Sequence, residues 1–154
     1  AVNKGVDGEQ AVEAGRRVTA SGMKLSMMII LGLAGAEGSE RHALATAQAI
    51  NIIKPTHLSA LCLMLYRGSE LLDQYEAGKF NPLSPAGLMR ELKLIIENID
   101  LPADRHCLFR SNHVSNYVQL AATLPHDKQR LLRDIDYSIA QLSKLKSWDV
   151  YNYN

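Results

Sequence analysis

With 154 residues, a formal net charge of +1, and 47% apolar against 21% charged residues, the chain has the material for one packed domain of the usual size, about 100–200 residues. That balance excludes a disordered chain, and the near-neutral charge removes the general field that draws proteins to nucleic acid or to an anionic membrane. Two cysteines, Cys62 and Cys107, are too few for a disulfide framework or a cysteine-only zinc or iron–sulfur site. No apolar run approaches the roughly 20 residues that span a bilayer. The opening residues, with Lys4, Asp7 and Glu9, do not resemble a secretory signal, so a reducing cytoplasm is the expected setting.

The first periodic segment, Glu9 to Ala20, predicts a helix opened by an Asp7/Gln10 capping box and stopped near Gly22. The run KLSMMIIL, Lys24 to Leu31, is too short for a typical helix and predicts a strand buried on both faces. Gly32, Gly35 and Gly38 punctuate the turn that follows. Ser39 is placed to cap a second helix, Glu40 to Ile53, whose apolar stripe is Ala43, Ala47 and Ile50 and which Pro55 closes. The run HLSALCLML, His57 to Leu65, predicts a second strand. Helix, strand, helix, strand with no tight hairpin points to parallel strands joined by crossovers.

Beyond Tyr66 a short helix is expected from Ser69 to Ala77, stopped by Gly78, and a longer one opens at Ser84 with Pro85 in its first turn. Leu88, Leu92, Ile95 and Ile99 mark the buried face of the longer helix. Arg105 to Arg110 reads as a weaker third strand, followed by the polar stretch Ser111 to Gln119. A final amphipathic helix runs from Pro125 to about Lys146 on Leu131, Ile135, Ile139, Leu142 and Leu145. Three parallel strands with covering helices would leave two sheet edges bare. The expectation is therefore a single α/β unit over residues 1–154 that forms part of a larger sheet or barrel, with further strands upstream.

Four blocks carry a resemblance. GLAGAEGSERHALATAQAI after MMIIL resembles the fifth strand and following turn of radical S-adenosylmethionine (radical SAM) enzymes. LMLYRGSELLDQYEAGKF resembles their sixth strand and its exit. FRSNHVSNYVQLAATLPHDKQRLL is similar to the C-terminal part of bacterial iron–sulfur oxidoreductases of that superfamily, and AVNKGVDGEQAVEAGRRV to their link into the fourth helix. The resemblance covers nearly the whole chain. It implies a partial (β/α) barrel: the C-terminal half of a radical SAM core, with the N-terminal half absent. That half carries the CxxxCxxC loop for a [4Fe–4S] cluster, and no such loop occurs in this sequence. In the parent, as the resemblance implies, the reduced cluster would cleave S-adenosylmethionine to a 5′-deoxyadenosyl radical that abstracts hydrogen from a substrate still to be identified. This half would be inactive alone and would bind neither cofactor stably. Its implied partner is the other half of the barrel.

Ligands of parallel α/β folds bind where loops leave the carboxyl ends of the strands. From the resemblance, Ile30, Gly32, Gly35, Glu37, Met64 and Tyr66 are the expected cofactor contacts. Gly32 and Gly35 would offer backbone amides without Cβ interference, Ile30 would pack on the adenine, and Met64 and Tyr66 would stand at its edge. Arg67, Asn112, His113 and Asn116 are candidate substrate-lining residues: a guanidinium suits a carboxylate, and a histidine can exchange a proton near neutral pH. Each has an ordinary counterpart as a turn former, cap or solvated cation. No residue is assigned as catalytic and no metal ligand is expected, since His42, His57, His106 and His126 show no ligand spacing and read as surface or capping groups. Cys62 and Cys107 read as buried, inert thiols. The competing reading is a noncatalytic α/β module that self-associates through its sheet edge or last helix.

Overall fold

The computed structural model describes residues 5–144. In chain order it contains helix α1 (Gly8–Ala20), strand β1 (Ser26–Leu31), helix α2 (Gly35–Ile53), strand β2 (His57–Cys62), helices α3 (Glu70–Glu76) and α4 (Pro85–Asn98), strands β3 (Cys107–Ser111) and β4 (Leu120–Leu124), and helix α5 (Lys128–Leu142). The four strands form one open sheet in the order β1-β2-β3-β4. As the alternation of elements predicts, β1, β2 and β3 run parallel. The expected continuation of the last helix to Lys146, with Leu145, lies outside the described residues.

The helix signals work as their chemistry requires. Asp7 Oδ1 accepts from the Gln10 amide at 2.8 Å while Gln10 Oε1 accepts from the Asp7 amide at 3.1 Å, so two free donors of α1 are satisfied together. Ser69 and Ser84 cap α3 and α4 in the same manner, each accepting an amide of the first turn. Lys128 donates to the carbonyls of Glu97 and Ile99, placing a cation at the negative end of α4.

Three expectations are corrected. A fourth strand, β4, directly follows the stretch read as a polar loop, where no element was expected, and pairs antiparallel with β3. Its alternation of Leu120, Ala122 and Leu124 inward with Ala121 and Thr123 outward is the period-2 signal of a half-buried strand. Helix α2 starts at Gly35, one turn before the expected cap, so Ser39 lies inside it and is free for another bond. Gly32 and Gly35 make this early start possible: both have positive φ, and a Cβ would come within 2.8 Å of the Leu88 side chain at Gly32 and 3.0 Å of Phe80 at Gly35.

The third correction concerns β1, which is buried on one face rather than two. Met27, Ile29 and Leu31 face the helix-lined core, whereas Met28 is 71% exposed and Ile30 is 37% exposed. The same division runs across the sheet. Leu58, Ala60, Cys62, Cys107, Phe109, Ser111, Leu120, Ala122 and Leu124 point to the helices. The alternate residues form a second surface that no described helix covers. Registers β1–β2, β2–β3 and β3–β4 set Met28, Ser59, Arg110 and Ala121 in one row of that surface, and Ser26, His57, Leu108 and Thr123 in the row below. The described residues thus form a two-layer α/β structure in which one sheet face carries no described helix.

Candidate functional site

Parallel strands deliver their carboxyl ends to one edge of the sheet, and here those ends meet at a pocket of about 170 Å³. Ile30 enters from β1, Leu61 and Cys62 from β2, Leu63, Met64 and Tyr66 from the segment after β2, and His113 and Ser115 from the loop after β3. Residues expected from three separate strand exits therefore come together: Ile30, Met64, Tyr66 and His113. The lining is mainly apolar, with Tyr66 half exposed, and its polar edge is made by His113 and Ser115. The His113 ring nitrogen Nδ1 accepts from the Ser115 amide at 3.2 Å and lies 2.9 Å from the Ser115 hydroxyl. An Nδ1 that accepts from an amide leaves the ring proton on Nε2, so His113 offers a donor there.

The structure places the remaining expected contacts outside that lining. The Gly32 amide donates to the Glu91 carboxylate at 3.0 Å. Gly35 is buried against Phe80 and the Asn81 carbonyl. Glu37 is exposed in the first turn of α2, where it accepts from Asn81 at 3.2 Å. Arg67 and Asn112 are exposed and lie outside the pocket lining.

Asn116 is a bridge between strands rather than a lining residue. The β2–β3 ladder pairs His57 to Ser59 with Leu108 to Arg110 and then stops. Above that point Asn116 Oδ1 accepts from the Cys62 amide at 2.9 Å, and its Nδ2 donates to the Ala60 carbonyl at 2.8 Å and to Ser111 Oγ at 2.9 Å. The Ser115 hydroxyl also accepts from the Cys62 amide. One side chain thereby replaces the backbone partners that β2 lacks where the strands part, satisfying groups that burial would otherwise leave unpaired.

Sequence reasoning missed Glu91. This carboxylate on α4 is buried, and it accepts from the Gly32 amide, from the Ser39 hydroxyl and from His42 Nδ1 at 2.9 Å. Burial pushes its pKa up. The hydrogen bonds from His42, Ser39 and Gly32, with the charge of His42, outweigh burial and hold the value below the ordinary 4.5. His42, read from sequence as a surface or capping group, is instead the ion-pair partner of this buried acid, with 22% of its side chain exposed. The signal was present: Glu91 sits on the stripe of Leu88, Leu92 and Ile95, where helical spacing demands an apolar residue. The cluster ties the exit of β1 and the start of α2 to α4.

Cys62 and Cys107 are buried, and burial pushes both thiols up to about 11, which disfavours the thiolate needed for reaction or metal ligation. Among the described residues no three His, Cys, Asp or Glu side chains converge as a metal site, and no helix is long and apolar enough to cross a membrane. In comparisons with known proteins, no family model and no curated protein matches the chain.

Proposed function

We propose that the chain is the C-terminal half of a radical SAM iron–sulfur oxidoreductase core, forming one wall of a partial (β/α) barrel and contributing adenine-side contacts and part of the substrate cavity. The observation that carries this reading is the one-sided sheet: among the described residues, α2, α4 and α5 pack on one face and no helix on the other. A barrel wall has this construction, with helices outside and the bare face turned to the interior. The pocket lies at the carboxyl ends of the strands, the end at which such folds bind ligands.

When bound, S-adenosylmethionine and a reduced [4Fe–4S] cluster supply radical hydrogen abstraction. The described residues do not fit the cluster, because the two thiols are buried in separate strands and burial disfavours their thiolates; on this reading its ligands would come from the other half of the barrel. The adenine fits the pocket chemistry better. Ile30, Leu61, Leu63 and Met64 present an apolar ledge, Tyr66 a ring at its rim, and His113 Nε2–H a donor for a ring nitrogen. Glu91 holds the β1 exit in place through Gly32.

The coding sequence upstream of Ala1 in the natural reading frame tests the assignment: a CxxxCxxC loop following a predicted strand is expected, and a frame without one contradicts it. A second reading, a noncatalytic module that associates with copies of itself, draws on the exposure of Met28 and on β1 standing at the edge of the sheet among the described strands. Concentration-dependent dimerisation by light scattering, without response to S-adenosylmethionine, would favour it.

A further inference from the structure

We propose that the bare sheet face binds a small organic carboxylate, with its apolar body across Met28, Ile30, Leu61 and Leu108 and its carboxylate on Arg110. Calling that ligand a substrate rests on the radical SAM reading; its binding rests only on the sheet. Strand residues on this face are Ser26, Met28, Ile30, His57, Ser59, Leu61, Leu108, Arg110, Ala121 and Thr123. They include one guanidinium and no carboxylate. Arg110 is exposed in the middle of its row, and its lateral neighbours by register, Ser59 and Ala121, are too small to shield it. Among the described residues no ion pair includes Arg110. Its one side-chain hydrogen bond goes to the adjacent Phe109 carbonyl through Nη1, at 2.7 Å, which leaves most of the five donors of the fork unused.

Charge complementarity chooses the occupant. One guanidinium balances one carboxylate and matches its geometry in a bidentate manner. A phosphate approaching two negative charges calls for a second cation or a set of converging amides, and the described strand residues of this face supply neither; the other titratable side chain among them, His57, is turned to the Thr56 hydroxyl at 3.2 Å. The surrounding apolar residues lower the competition from water for the pair.

The probe is 2-naphthoate, with 2-naphthalenemethanol as its neutral counterpart and 2-naphthyl phosphate as the alternative anion, followed by methyl NMR shifts of Met28, Ile30, Leu61 and Leu108. Naphthoate is expected to bind roughly five- to ten-fold more tightly than the alcohol, with shifts confined to this face. Arg110→Gln is expected to abolish that difference, and Arg110→Lys to restore part of it. Ser59→Glu, which leaves Arg110 in place but supplies a carboxylate beside it, is expected to block naphthoate while sparing the alcohol. Equal binding of acid and alcohol, shifts elsewhere, no binding, or an unchanged preference in Arg110→Gln would overturn the proposal, and tighter binding of the phosphate would overturn the choice of carboxylate. Since S-adenosylmethionine takes no part, failure here is separable from failure of the radical SAM reading.

Discussion

The two faces of one sheet, built from alternate residues of the same four strands, follow opposite rules. The helix-covered face is a continuous core in which Leu31, Leu58, Cys107, Phe109 and Leu124 are fully buried. The other carries Met28, Ser59, Arg110 and Ala121 in a single register row and has no described helix against it. A one-residue step along a strand therefore moves from a position where volume and apolarity decide the outcome to one where accessible chemistry does. The buried core lies on one face, and the candidate recognition surfaces proposed above lie on the other face and at the strand ends.

The largest expected effect that sharpens this contrast is Phe109→Ala, which should destabilise by about 3–5 kcal/mol in urea unfolding, because it empties a fully buried ring volume. Glu91→Ala should follow, at about 2–3 kcal/mol, since it leaves the Gly32 amide and Ser39 hydroxyl without their buried acceptor. Its pH dependence has a definite sign. The folded pKa of Glu91 lies below 4.5, so its stabilisation is complete above that pH and is lost as pH falls through the folded value. Glu91→Gln should accordingly lose less stability than wild type between neutral and acid pH, compared by urea midpoints across that range. An identical acid limb in both proteins would break the account of the cluster.

Asn116→Ala should cost about 1–2 kcal/mol and speed hydrogen exchange at the Cys62 amide, which loses one of its acceptors where β2 and β3 part. Unchanged exchange at Cys62 would show that the bridge does not hold the strand ends. The smallest effect belongs to the bare face: Met28→Ser should shift stability by no more than about 0.5 kcal/mol. A loss comparable to that of Phe109→Ala would mean that Met28 is buried in solution by an associated copy.

Much of the architecture is legible in residue order because its signals are local. Asp7 with Gln10, Ser84 with Pro85 and the short apolar runs each specify structure through neighbours a few residues away. What escaped were facts of register and packing. SMMIIL is apolar throughout, so only its pairing with β2 reveals that Met28 and Ile30 share the uncovered side. Leu120 to Leu124 has the alternation of a strand, but its antiparallel partner precedes it across a polar loop that dominates the local composition. Ile30, Met64, Tyr66 and His113 could be placed near one another because strand exits in a parallel sheet share an edge. The Glu91 cluster could not, because its bonds join residues 49 to 59 positions apart.

The most direct test of the central reading is formation of 5′-deoxyadenosine. The product of the natural reading frame that contains this chain, purified without oxygen, supplied with iron and sulfide and reduced, is expected to release 5′-deoxyadenosine from S-adenosylmethionine. It is also expected to lose most of that release when Ile30→Glu places a charge on the apolar ledge of the pocket. No 5′-deoxyadenosine from the unaltered protein, or release unaffected by Ile30→Glu, would contradict the assignment of this pocket as the adenine-side wall.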